Sequence, residues 1–150
     1  MLHYGTPCST FCKLLHSDPK TAVRSHAFPM GLPNLVGKKL DKCETGNALA
    51  HTSAVLWKAQ VAAGGHNQWE LPATSLVTSH TTAGPILREA YDGTRPVCQD
   101  GAPWQKYTTV KATSPVIEAI SARCYCKGRA IQLKGKAPDN RWWTAHASAY

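Results

Sequence analysis

From residue 52 onward, turn-forming pairs cut the chain into short runs of β-branched and aromatic residues, and that punctuation limits what it can build. Val55, Trp57, Ala59 and Val61 alternate with Leu56, Lys58 and Gln60 at a period of two. Gly64-Gly65-His66-Asn67 is turn chemistry, and Gln68-Trp69-Glu70-Leu71 follows it, so a hairpin is expected. Ala48, Leu49, Ala50 and Ala54 favour a competing helix over 48–63, but the alternation favours strand. Further strands are expected at Thr74–Thr82, at Pro85–Tyr91 before the turn pair Asp92-Gly93, and at Thr94–Gln99 before Asp100-Gly101. Trp104–Ala112, Val116–Cys126 and Arg129–Lys134 complete the series. Short strands at this spacing predict an all-β fold, an antiparallel sandwich or barrel-like body.

The 150 residues suit a single domain, with an extended arm at 1–47, a β body at 48–134 and a basic-aromatic tail at 135–150. In the arm, Pro7, Pro19, Pro29 and Pro33 forbid a long helix, leaving room for one helical turn at Ser9–His16 with Phe11, Leu14 and Leu15 on a face. Phe28, Met30, Leu32, Leu35 and Val36 are grouped there, as expected of an arm that buries apolar residues against another chain. No apolar run approaches the ~20 residues a membrane-spanning helix needs.

The formal charge of +8 is unevenly spread. Residues 1–44 contribute +3, residues 45–122 are neutral, and residues 123–150 carry Arg123, Lys127, Arg129, Lys134, Lys136 and Arg141 against Asp139 alone. Tyr125, Trp142, Trp143 and Tyr150 interleave with these cations. Cations neutralise phosphates or sulfates while rings stack on bases or sugars. Arg123, Lys127, Arg129, Lys134, Lys136, Arg141, Trp142 and Trp143 are therefore the expected anion-binding residues.

Six cysteines stand at Cys8, Cys12, Cys43, Cys98, Cys124 and Cys126, an even count that fits a disulfide framework in an oxidising compartment. Cys124 and Cys126 lie two apart on an expected strand and point to one face, so each suits a distant partner. Cys8 and Cys12 are candidates, which leaves Cys43 to pair with Cys98. Zinc on Cys8, Cys12 and His16, or on Cys8 and Cys12 with Cys124 and Cys126, is an alternative, though neither spacing is the common C-x2-C knuckle. Buried reduced thiols are another. The Cys98…Cys124-x-Cys126 ending resembles the tail of cystine-knot growth factors, and Cys8-x3-Cys12 has the spacing of their ring pair. A knot of that order needs a cysteine before Cys8, and Cys43 has no matching place, so the chain is assigned to no family on this ground.

Nucleophile-elbow, zinc-protease, phosphate-loop and dinucleotide motifs are absent, so neither enzyme nor cofactor is expected. Glu70, Glu89 and Glu118 read as strand acids facing solvent. The seven histidines, His3, His16, His26, His51, His66, His80 and His146, show no spacing that selects a catalytic pair; their protonation near pH 6 should strengthen anion binding. Met1–Cys12 lacks an apolar core, so no secretory signal is expected. The leading expectation is a non-enzymatic, disulfide-stabilised structural or binding protein, extracellular or on a particle surface. Its partners would be other subunits, in a homo- or hetero-oligomer, or a polyanion such as nucleic acid or acidic polysaccharide. The alternative is an RNA-binding component of an organellar or cytoplasmic ribonucleoprotein, with reduced or zinc-bound cysteines.

Overall fold

The computed structural model describes residues 1–5, 10–12, 20–126, 131–133, 135–141 and 143. Its longest element is a helix, α1, at Lys38–Ala62. The strand expected within 48–63 is therefore a helix, and the boundary drawn at residue 48 falls inside it. The alternation of Val55, Trp57, Ala59 and Val61 misled because only Trp57 among them is buried, while Val55 and Val61 are about half exposed. The buried set is Cys43, Gly46, Ala50, Ala54 and Trp57, steps of three and four that form one helical stripe. Gly64 (φ 73°) closes the helix: its N–H donates to Val61 O at 2.9 Å and the Gly65 N–H to Gln60 O at 2.8 Å.

Six more elements frame the core. Strand β1 (Leu2–Tyr4) pairs in parallel with β2 (Asn67–Pro72), and α2 (Ala83–Glu89) precedes β3 (Tyr91–Pro96). After the two-residue strand β4 (Trp104–Gln105) comes β5 (Tyr107–Ala112), which pairs antiparallel with both β2 and β3. The sheet order is β1-β2-β5-β3, so the sheet is mixed. A fold with a 25-residue helix and a mixed sheet overturns the all-β, antiparallel expectation.

Three other expected strands are also corrected. Thr74–Thr82 contains a 3-10 turn at Leu76–Ser79, because the Ser75 hydroxyl accepts from the Val77 N–H and closes the chain locally. Pro85–Tyr91 is largely α2, where Pro85 sits in the first turn and its missing N–H costs no hydrogen bond. Val116–Cys126 opens with a 3-10 turn at Pro115–Ile120 and continues as irregular chain. Asp92-Gly93 is no turn but lies within β3, where the absent side chain admits that 3-10 turn: a Cβ on Gly93 would lie 2.2 Å from Ile117 O. Strands at 68–71 and 107–112 stand where the sequence places them.

α1 packs on the sheet through aromatic rings. Tyr4, Trp57 and Trp69 lie with centroids 5.6–6.3 Å apart. Asn67, buried at the helix–sheet junction, accepts from the Tyr4 hydroxyl at 3.1 Å and donates to Trp57 O at 3.0 Å. Leu71, Leu76, Val77 and Leu87 fill the rest of this core.

The segment from 20 to 35 runs along the N-terminal half of α1. Arg24 is fully buried and donates to Pro29 O, to Asn47 Oδ1 and to Cys43 O at 2.6–2.8 Å, with its guanidinium 3.9 Å from the Phe11 ring centroid. Gly46 permits the approach, since a Cβ there would come within 2.9 Å of Arg24 Nη2. Met30, Leu32 and Leu35 are half-buried in this packing, while Phe28 and Val36 are exposed. No described helix is long and apolar enough to cross a membrane.

Candidate thiol site and the basic segment

After β3, Pro96 ends the sheet pairing and the chain tightens into a 3-10 turn at Val97–Asp100 that carries Cys98. Gly101, with φ 89°, turns the chain out of it, a conformation that favours glycine. The chain that approaches from the other side is residues 121–126. Ala122 N–H donates to Thr94 O at 3.0 Å, fixing this segment beside the edge strand β3. Beyond that anchor exposure alternates: Arg123 and Tyr125 face solvent, while Cys124 and Cys126 are half-buried. This is the two-residue period of extended chain, as the sequence led us to expect for Cys124 and Cys126.

The two stretches meet at their sulfurs. Cys98 Sγ lies 3.5 Å from Cys124 Sγ and 3.9 Å from Cys126 Sγ, and all three sulfurs lie within 4.8 Å of one another. Gln99 supports the junction by donating to the Arg123 carbonyl. Desolvation, then the hydrogen bonds with Cys124 and Cys126, push the Cys98 thiol up to about 12. Cys124 is shifted down, chiefly by its hydrogen bond with Cys126, with a smaller contribution from Gln105 on β4. The arrangement favours ionising one member of the cluster while its neighbours stay protonated and donate to it.

The other cysteines lie elsewhere or outside the described residues. Cys43 is buried in α1 with its sulfur 3.3 Å from Met30 O, so the structure brings Cys98 to Cys124 and Cys126 rather than to Cys43. Cys12 forms an isolated bridge with Ser75, and Cys8 and His16 lie outside the described residues. No described cysteine is in a disulfide.

The basic residues divide similarly. Lys127, Arg129, Lys134 and Trp142 lie outside the described residues. Arg123 is exposed beside the thiols, Lys136 donates to Asn140 Oδ1 at 2.8 Å, and Arg141 pairs with Asp139 at 2.7 Å. Trp143 is half-buried and its N–H donates to Gly135 O at 3.2 Å. The neighbouring pair β4 and β6 (Ile131–Gln132) runs parallel over a small apolar cluster of Ala102, Trp104, Val97, Ile131 and Leu133.

A cleft of about 290 Å³ adjoins this region, lined by Glu70, Arg95, Val97, Asp100, Thr108 and Val110. Arg95 pairs with Asp100, and Glu70 faces His3 at 3.9 Å. Sequence reading missed this grouping: Glu70, Thr108 and Val110 share a sheet face only through the β2–β5 register. Glu89 lies in α2 and Glu118 in the last 3-10 turn, so neither is a strand acid. His80 is buried with Nδ1 accepting from the Thr82 and Ala83 N–H groups.

Comparison with known proteins finds no matching family model, curated protein or solved structure.

Proposed function

We propose that this protein is a non-enzymatic binding module for a nucleic-acid-like polyanion, its basic C-terminal segment fastened to the α/β body at the thiol site. The observation that supports this reading is the alternation at residues 121–126. Cys124 and Cys126 turn inward to Cys98, and the same backbone turns Arg123 and Tyr125 outward. A cation beside an exposed ring suits a phosphate with its neighbouring base, and Tyr125 is 76% exposed. The remaining charge of the +5 segment follows directly in the chain. An anionic partner is favoured over a purely structural subunit role because Met30, Leu32 and Leu35 are half-buried within their own chain.

Fluorescence anisotropy with a labelled single-stranded oligonucleotide tests the reading. Affinity should fall linearly on a log–log plot against salt, and Arg123→Ala should flatten that slope by about 0.7, one phosphate contact on a single strand. Tyr125→Ala should weaken binding by about 1–3 kcal/mol with the slope unchanged, as loss of one stacking contact does. Binding that ignores salt, or that both variants leave intact, overturns the proposal.

A further inference from the structure

We infer that Cys98, Cys124 and Cys126 form a binding site for one zinc ion, with the fourth coordination position left to water or another oxygen or nitrogen donor. The sulfur spacing carries the inference. With Zn–S bonds of about 2.3 Å, a regular tetrahedron places its sulfurs about 3.8 Å apart. The two separations from Cys98 are 3.5 and 3.9 Å. A disulfide needs about 2.05 Å and joins two sulfurs, which leaves no role for the third. Here three half-buried sulfurs converge on one point.

The chain reaches this geometry by two independent means. The 3-10 turn at Val97–Asp100 presents Cys98, and the extended chain presents Cys124 and Cys126 on one side. No histidine or carboxylate of the described residues joins the cluster, so the donor set is three soft sulfurs, a preference for thiophilic ions over magnesium or calcium. Gln105 hydrogen-bonds Cys124 from β4 and would hold that ligand in place as an outer partner. On binding, each thiol passes its proton to solvent, so three protons leave as one zinc enters and the site carries a net charge of −1. The inference goes beyond the polyanion reading and stands without it.

The test uses the full chain, reduced with a phosphine under anaerobic conditions and titrated with cobalt(II) as a spectroscopic stand-in. Sulfur-to-cobalt charge-transfer bands and tetrahedral d–d bands should saturate at one cobalt per chain and vanish when zinc is added. Cys98→Ser, Cys124→Ser and Cys126→Ser should each lower zinc affinity by more than the ~10- to 100-fold that loss of an outer partner costs other sites. Cys43→Ala should leave the titration unchanged. X-ray absorption on zinc-loaded wild-type protein provides a readout that needs no variant: three sulfurs and one lighter atom are expected. Any other sulfur count overturns the inference, as does a wild-type chain that takes up neither metal or a triple serine variant that still does.

Discussion

The two ends of this molecule are held by different physics. Around α1, side chains from the N-terminal segment, α2 and the sheet bury together: Trp57 and Trp69 are 4% and 0% exposed, and Phe11, Leu76 and Leu87 are 2% or less. Beside the 3-10 turn at Val97–Asp100, the apolar cluster among the described residues has two buried members, Ala102 and Trp104, with three half-buried apolar neighbours. A cluster that small recovers little of the entropy spent in ordering its chain, so this region is held less firmly than the first. The sulfurs sit where the apolar burial runs out. The contrast is one of cooperativity: the first region should melt as a unit with the sheet, the second should open by itself.

The largest effect expected from that contrast belongs to Trp69. Trp69→Ala removes the ring that meets both Tyr4 and Trp57, at a cost of about 3–5 kcal/mol in a denaturant titration. Trp104→Ala, in the smaller cluster, should cost clearly less. Equal losses would break the distinction, because they would make the two clusters parts of one cooperative core.

Of the first region only β2 and β5 stand where the sequence places them, and the misreading of its helices has a physical cause. β2 shows true alternation, with Asn67, Trp69 and Leu71 buried and Gln68, Glu70 and Pro72 only partly covered, whereas β5 is marked by its β-formers Tyr107, Thr108, Thr109 and Val110 rather than by period. In α1 the alternation of Val55, Trp57, Ala59 and Val61 is accidental: three of these four residues are exposed, and an exposed valine carries no information about strand. A better signal was present. Residues 47–63 contain neither glycine nor proline and are rich in alanine, and Gly37 and Gly64 bracket the helix. At the thiol site, the shared face of Cys124 and Cys126 follows from local geometry and was legible. Their partner was not, because 26 residues separate Cys98 from Cys124 and only the β3–β5 pairing and the 3-10 turns decide who meets.

A smaller effect sharpens the comparison from the other side. Cys98→Ser should move the main unfolding transition by less than about 1 kcal/mol, because the sulfurs lie outside the principal core. The same change should speed hydrogen exchange at residues 121–126 about tenfold, equivalent to about 1.4 kcal/mol of easier local opening. A global transition that shifts as far as in Trp69→Ala would show that the C-terminal segment folds with the core.

The smallest effect is a pH dependence confined to the first region. His80 lies on the loop before α2, and its Nδ1 accepts from the Thr82 and Ala83 N–H groups, so the folded state requires that nitrogen without a proton. Burial lowers its pKa below the usual 6.5; Arg24 from the neighbouring segment adds to this, as more weakly does His51 from α1, while a hydrogen bond with Asn47 opposes them. The folded chain thus binds fewer protons than the unfolded chain in the window below pH 6.5, and stability rises with pH there. The contribution is complete above that point and is lost as acid carries the pH down toward the folded value. His80→Gln, which keeps an acceptor but does not titrate, should flatten this limb of a stability–pH curve while leaving any pH dependence of exchange at residues 121–126 untouched. If both regions lose their pH dependence together, His80 couples them and the separation between core and clamp fails.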